Sequence, residues 1–217
     1  MKAFNSVPHK RLIQKLPAYG INTKVISWTQ SFLTNRRQRV LVNGEESSSW
    51  SKVISGIPQG SILGPLLFMI YINDLPSITN SNILLFADDT KLYKEIHSAT
   101  DKEEIQQDID NMISWSRRWL LKFHPSKCKL LQLGNNIDLK GSYLMENTLL
   151  EITDKEKDLG ITINNQLNFE AHISEKTNKA NNIMGLIRRT FSYLDKTIFK
   201  ALVRPHIEYG NAVWYTK

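Results

Sequence analysis

Ile83-Leu84-Leu85-Phe86-Ala87-Asp88-Asp89-Thr90-Lys91-Leu92-Tyr93 decides how the rest of the chain is read. The apolar run 83–87 predicts a buried strand, and 90–93 predicts a second. Asp is disfavoured inside strands and favoured in tight turns, so both carboxylates are expected at the tip of a β-hairpin. Side by side they repel, and each resists ionising unless a cation lies between them. A divalent ion such as Mg2+ prefers hard oxygen ligands of this kind. A solvated Asp-Asp turn is the simpler reading of a bare pair, so the surrounding sequence has to decide.

Upstream of the hairpin lies Ser55-Gly56-Ile57-Pro58-Gln59-Gly60-Ser61-Ile62-Leu63-Gly64-Pro65. Gly56 and Gly60 let the backbone approach a ligand closely. Ser61 can cap a helix, and Pro65 is tolerated in its first turn. That helix, Leu66 to Ile72, is apolar almost all round and is expected to be buried. No Lys-Ser or Lys-Thr follows the second glycine, so the loop is not a nucleotide P-loop. A Pro-Gln-Gly centre is unusual for a plain turn and points to ligand contact.

Nearer the amino end, Leu12, Ile13 and Leu16 predict one apolar helical face, punctuated by Pro17 and Gly20. A second helix is expected over Thr23–Thr34, with Val25, Ile26, Trp28, Phe32 and Leu33 supplying apolar contacts. Asn43-Gly44 predicts a turn, with a returning strand near Trp50–Ile54. Downstream of the hairpin, Thr100-Asp101-Lys102-Glu103 reads as a capping box for a helix with Ile105, Ile109, Met112 and Ile113 on its core face. Trp115 and Trp119 fit core positions better than base-stacking ones. Strands are expected over Cys128–Leu133 and Leu159–Ile163, a helix through Phe169–Ile187, and a last helix from Asp195 that Pro205 interrupts or kinks.

The 217 residues carry a net charge of +7, and its distribution matters more than its size. Residues 1–44 hold eight Lys or Arg and no acid, and residues 172–217 hold eight against three acids. Two basic ends suggest a polyanion, with nucleic acid ahead of an acidic membrane surface. The apolar run Leu66–Ile72 is too short to span a bilayer. A single cysteine, Cys128, excludes an internal disulfide and fits a reducing, intracellular compartment. No secretory leader is expected from Met1-Lys2-Ala3-Phe4. The five histidines lack zinc-ligand spacing, no His-Glu-x-x-His occurs, and no Gly-x-Ser-x-Gly suggests a hydrolase.

Four blocks taken together resemble the reverse transcriptase domain of non-LTR (LINE-like, jockey-type) retrotransposons. They are Lys2-Ala3-Phe4-Asn5-Ser6-Val7-Pro8-His9, Ser55 through Pro65, Tyr71-Ile72-Asn73-Asp74-Leu75-Pro76 and Leu85-Phe86-Ala87-Asp88-Asp89-Thr90. Glu156-Lys157-Asp158-Leu159-Gly160 and Val203-Arg204-Pro205-His206-Ile207-Glu208-Tyr209 extend the likeness to the carboxyl end.

The resemblance implies an α+β right-hand polymerase. Residues 1–165 are expected to form a palm, an antiparallel sheet packed on helices, with partial fingers, and residues 166–217 the beginning of a helical thumb. It implies an RNA-directed DNA polymerase that extends a DNA 3′-hydroxyl on an RNA template with deoxynucleoside triphosphates and two metal ions, Mg2+ or Mn2+. Asp88 and Asp89 match the metal-binding pair. Phe4 matches the gate beneath the sugar. Ser55, Gly56, Pro58, Gln59 and Gly60 match the loop lining nucleotide and template. Lys127, with Lys129 as its rival, matches a lysine near the triphosphate. Leu159 and Gly160 match the hairpin that steadies the primer end. The family's habit of priming on chromosomal DNA implies the nucleus. Its first metal-binding aspartate stands four residues before the alanine matched by Ala3, ahead of Met1, and Asn5 replaces a second aspartate. The chain is therefore expected to be truncated at both ends and inactive alone. The alternative is a catalytically dead remnant that at most binds nucleic acid.

Overall fold

The computed structural model describes residues 3–46, 48–134, 140–193 and 195–215. Met1, Lys2 and Lys217 lie outside the described residues. Helices and short strands make an α+β protein of two units. The first runs to Pro125 and takes in Tyr143–Leu149, and the second holds Ser126–Ser142 and the chain from Leu150 onward.

In the first unit, α1 (Ala3–Ser6) and α2 (His9–Lys15) are separated by Val7 and Pro8. A 3-10 turn over Leu16–Tyr19 ends on Gly20 at φ +68. Helix α3 (Thr23–Leu33) starts on Asn22, whose side chain accepts the Lys24 N–H. Val25 and Trp28 do not join the core as expected but are about half exposed, because α3 buries only Thr29 and Leu33. The next segment pairs as two nested antiparallel ladders. β1 (Arg37–Gln38) pairs with β4 (Ser51–Lys52), and β2 (Leu41–Val42) pairs with β3 (Glu45–Glu46) across Asn43-Gly44. Both turn residues hold positive φ, as an Asn-Gly hairpin requires.

Helix α4 (Leu63–Ile72) starts three residues earlier than predicted, with Gly64 N–H bonded to the Ser61 hydroxyl at 3.0 Å. It buries Leu67, Phe68, Tyr71 and Ile72 but exposes Leu66 and Met69, so it is not covered all round. Its buried side meets Leu12, Leu16, Leu33, Leu75, Met112 and Trp115 in one core. Trp115 is 5% exposed and Trp119 packs beside it, so both serve the core.

A cation sits within this core. Lys15 Nζ lies 3.9 Å from the Trp119 ring centroid and 4.9 Å from those of Tyr71 and Trp115. It donates to the Tyr71 carbonyl at 2.6 Å and to Asp74 Oδ1. Burial pushes its pKa below the usual lysine value, opposed by Asp74. The Tyr71 hydroxyl donates to the Trp119 carbonyl.

Strands β5 (Asn82–Phe86) and β6 (Asp89–Tyr93) form the expected hairpin, in register from Asn82↔Tyr93 to Phe86↔Asp89. Ile83, Leu85 and Leu92 pack on the core, and Leu84, Phe86 and Tyr93 face outward. Helix α5 (Ala99–Trp119) is capped two residues before the predicted cap. Ser98 and Asp101, rather than Thr100 and Glu103, close the capping box. Asp108 on α5 is fully buried and accepts the N–H groups of Asn80 (2.9 Å) and Ser81 (2.8 Å), which fixes the entry to β5.

In the second unit, β7 (Lys129–Leu131) runs parallel to β8 (Glu151–Thr153). β9 (Lys155–Asp158) and β10 (Ile161–Asn164) form a hairpin around Leu159-Gly160, at φ +46 and +83. The predicted strand therefore starts at Ile161, because both earlier residues are spent on the turn. The long helix α6 (Glu170–Thr190) buries Ala180 and Ile187 against Val203. The predicted kink before Pro205 is a π-helical stretch, Phe199–Val203. Proline lacks the N–H that would continue regular bonding there. Among the described residues the strands of both units pair only two by two.

His172 on α6 is fully buried, with Nδ1 accepting the Thr162 N–H at 3.2 Å. Burial, then the nearby Lys176 ammonium, holds its pKa below the ordinary imidazole value.

Two outcomes follow from these contacts. Asp108→Ala strands two N–H groups and should lower stability by about 2–4 kcal/mol in urea unfolding. A loss under about 0.5 kcal/mol would contradict this role. Native His172 resists protonation while the unfolded chain binds a proton below about pH 6.5, so stability should fall as pH falls through that value. Thermal midpoints at pH 7.5 and 5.5 check this: the gap between wild type and His172→Gln should shrink at the lower pH, and a constant gap would refute it.

Candidate active site and nucleic-acid interface

The turn between β5 and β6 is Ala87-Asp88, with Asp89 already opposite Phe86 as the first residue of β6. The two aspartates were expected together at the tip, and the structure moves the turn back by one residue. Ala87 holds φ +51, so the first turn position is left-handed, as in a II′ hairpin. A non-glycine residue there stores about 1–3 kcal/mol of strain, which the docked inner face of the hairpin sustains. Both carboxylates are exposed. A hard divalent cation fits such a pair, because Mg2+ commonly takes one or two carboxylates and completes its shell from water and substrate phosphate. Among the described residues no third His, Cys, Asp or Glu joins them in a metal-holding group.

The glycine-rich loop is built against α1. Gly56 N–H donates to the Val7 carbonyl at 2.8 Å, and Ile57 N–H to the Phe4 carbonyl at 2.9 Å. The Ser55 hydroxyl donates to the Asn5 carbonyl (3.1 Å), and the Gln59 amide to Asn5 Oδ1 (3.2 Å). His9 Nε2 lies 2.7 Å from the Gly56 carbonyl. At Gly56, φ is +90 and a Cβ would lie 2.8 Å from the Asn5 backbone, so only glycine fits. Gly60, at φ +80, has open space around it. Phe4 stacks on Phe68 with ring centroids 4.3 Å apart. The structure thus joins Phe4, Asn5 and the loop.

Beside this loop is a cavity of about 370 Å³ lined by Asn5, Ser55, Gly56, Pro58 and Gln59 and by two cations, Arg36 and Lys52. Sequence reading assigned neither cation. The acid-free first 44 residues were the only signal for Arg36, without singling it out, and Lys52 lies beyond them.

Lys127, Lys129, Leu159 and Gly160 belong to the second unit. Lys127 ends an exposed 3-10 turn, Pro125–Lys127. Lys129 lines a separate cavity of about 530 Å³ with Lys155, Lys157, Glu156 and Glu175. Carboxylates already engage two of these lysines, Lys129 with Glu156 at 3.7 Å and Lys157 with Glu175 at 2.6 Å. The Lys157 hydrogen bond holds the Glu175 pKa below its usual value.

The Leu159-Gly160 turn is clamped by Tyr209. Its hydroxyl donates to the Leu159 carbonyl at 2.7 Å, and a Cβ on Gly160 would lie 3.1 Å from its ring. Trp214 Nε1 donates to the Tyr209 carbonyl at 2.8 Å, and Lys176 Nζ lies 4.5 Å from the Tyr209 ring centroid. The sequence around Tyr209 carries no sign of this role, since nothing local links it to a turn 50 residues earlier.

No helix among the described residues is long and apolar enough to cross a membrane. Residues 1–184 match the family described as "Reverse transcriptase (RNA-dependent DNA polymerase)". The chain is 28% identical, over 98% of its length, to the RNA-directed DNA polymerase from mobile element jockey of Drosophila melanogaster. It is 27% identical to the jockey polymerase of Drosophila funebris and 26% identical to the probable RNA-directed DNA polymerase from transposon BS of Drosophila melanogaster, again over 98% of the chain. In each case it spans about a quarter of the relative's length (25%). The chain belongs to the reverse transcriptase family, and its relatives are polymerases of non-LTR retrotransposons.

Proposed function

We propose that this chain is the polymerase segment of a retrotransposon protein that copies an RNA template into DNA by extending a DNA 3′-hydroxyl with deoxynucleoside triphosphates. The observation that carries the reading is the pair of exposed, adjacent carboxylates on a hairpin whose other face is anchored in a packed core. Phosphoryl transfer needs charge placed at a fixed point, and anchoring spares reorganisation during the reaction.

In this reading Asp88 and Asp89 hold a divalent cation, Mg2+ or Mn2+. Such an ion, when bound, stabilises charge on the attacking and leaving oxygens. Phe4, stacked on Phe68, lies beneath the sugar and disfavours a 2′-hydroxyl. Ser55, Gly56, Pro58, Gln59 and Gly60 line the nucleotide and template. Lys127 approaches the triphosphate, and Lys129, engaged by Glu156, is its rival. Leu159 and Gly160 contact the primer end, with Tyr209 setting the shape of their turn. Residues 1–165 act as palm with partial fingers and 166–217 as the beginning of a thumb, and the site of action is the nucleus.

The test is primer extension on an RNA template, run on a polypeptide that carries this segment behind the residues preceding it in the Drosophila melanogaster jockey polymerase. Metal-dependent extension is expected, lowered at least about 10²–10³-fold by Asp88→Asn or Asp89→Asn, the scale of losing a principal electrostatic stabiliser. Binding of an RNA–DNA duplex should change less than about two-fold. Extension that survives both substitutions would overturn the assignment.

A further inference from the structure

Each unit carries a basic cavity among its described residues, and charge balance separates the two. The second-unit cavity gathers Lys129, Lys155 and Lys157 but also Glu156 and Glu175, and two of its lysines are already engaged. The first-unit cavity beside the Ser55–Gly60 loop is lined by Arg36 and Lys52 and by no acidic side chain. Among the described residues neither cation has an acidic partner. Both ride on the ladder that pairs Arg37 with Lys52, extended by the Val53 N–H bond to the Arg36 carbonyl at 2.9 Å. Arg36 is half-buried and Lys52 exposed. Two unneutralised cations beside a partly enclosed space raise the local potential for an anion. The Arg36 fork suits paired phosphate oxygens, and Lys52 adds a point charge. Ser55 and Gln59, which line the same space, are both bonded to Asn5.

We infer that Arg36 and Lys52 form a phosphate-binding site at the rim of the glycine-rich loop. The ligand is a nucleotide phosphate, carried either by a nucleic-acid strand or by a nucleoside triphosphate. The inference rests on the reading of Ser55–Gly60 as the nucleotide and template wall, and it adds two residues that sequence patterns do not mark.

The experiment measures binding of a single-stranded RNA 12-mer and of dTTP to the 217-residue chain across a salt series. Arg36→Gln/Lys52→Gln is compared with Lys155→Gln/Lys157→Gln, which removes the same charge from the other cavity. The first pair should weaken one or both ligands about 10–30-fold near 0.1 M salt. If RNA is the ligand, its log–log salt slope should flatten by about 1.4, from two contacts at about 0.7 each. The second pair should change affinity less than about three-fold. Loss for RNA alone identifies a strand, and loss for dTTP alone identifies the triphosphate. Arg36→Lys, which keeps the charge and loses the fork, should fall between wild type and Arg36→Gln. Equal losses in the two double variants, no loss in the first, or no salt-dependent binding of either ligand by the wild-type chain would overturn the site. The polymerase assignment is read separately, as extension lost in Asp88→Asn, so a failed phosphate site and a failed polymerase assignment give different results.

Discussion

The first unit depends on a buried ammonium group. Lys15 ends a helix whose apolar side faces the core, and its Nζ lies under three aromatic rings. A lone charge there is costly to desolvate, so it has to be compensated. Asp74 supplies the counter-charge, the Tyr71 carbonyl an acceptor, and the rings their negative faces. These partners come from three places: the end of α4, the segment after it, and the last turns of α5. Apolar contacts would hold the same helices together with some freedom to slide. A cation with directional partners fixes their register, which is a known use of buried polar groups.

From that fixed register the geometry of the acidic corner follows. α5 carries Asp108, which grips the backbone just before β5. β5 then presents Ile83 and Leu85 to the core and runs straight into the strained residue Ala87. Strain of this kind persists only where the surroundings over-determine the backbone. Here they do so on one face of the hairpin, leaving the other open to solvent at Leu84, Phe86 and Tyr93. The second unit uses a related device. Leu159 and Gly160 also adopt left-handed conformations, and a tyrosine hydroxyl and ring hold them from outside.

Much of this was legible from residue order because it is encoded locally. An apolar run, two aspartates and a β-prone return specify a hairpin without reference to distant residues. Asn43-Gly44 and Pro17 with Gly20 mark turns by their backbone preferences alone. Trp115 and Trp119 were readable as core from their place on an amphipathic helix. Other features were hidden for physical reasons. Exposure of Val25, Trp28, Leu66 and Met69 depends on which neighbours cover each helix face, and periodicity does not report that. The cap at Ser98 and the box at Thr100 have similar sequence signatures two residues apart, and only the backbone bond to Asp101 distinguishes them. Arg36 and Lys52 matter through their place beside a loop about 20 residues away from Arg36, and Tyr209 through a contact across 50 residues.

Gly56 has a mechanical meaning beyond its own conformation. Two main-chain bonds and a near-touching approach to Asn5 weld the amino-terminal helical turn to the loop, with no layer of side chains between them to yield. Soft packing would absorb a displacement of a few tenths of an ångström, and a backbone-to-backbone joint does not. A pull or twist applied at Ala3 is therefore passed to the wall of the cavity, which makes this helical turn a lever on the glycine-rich loop.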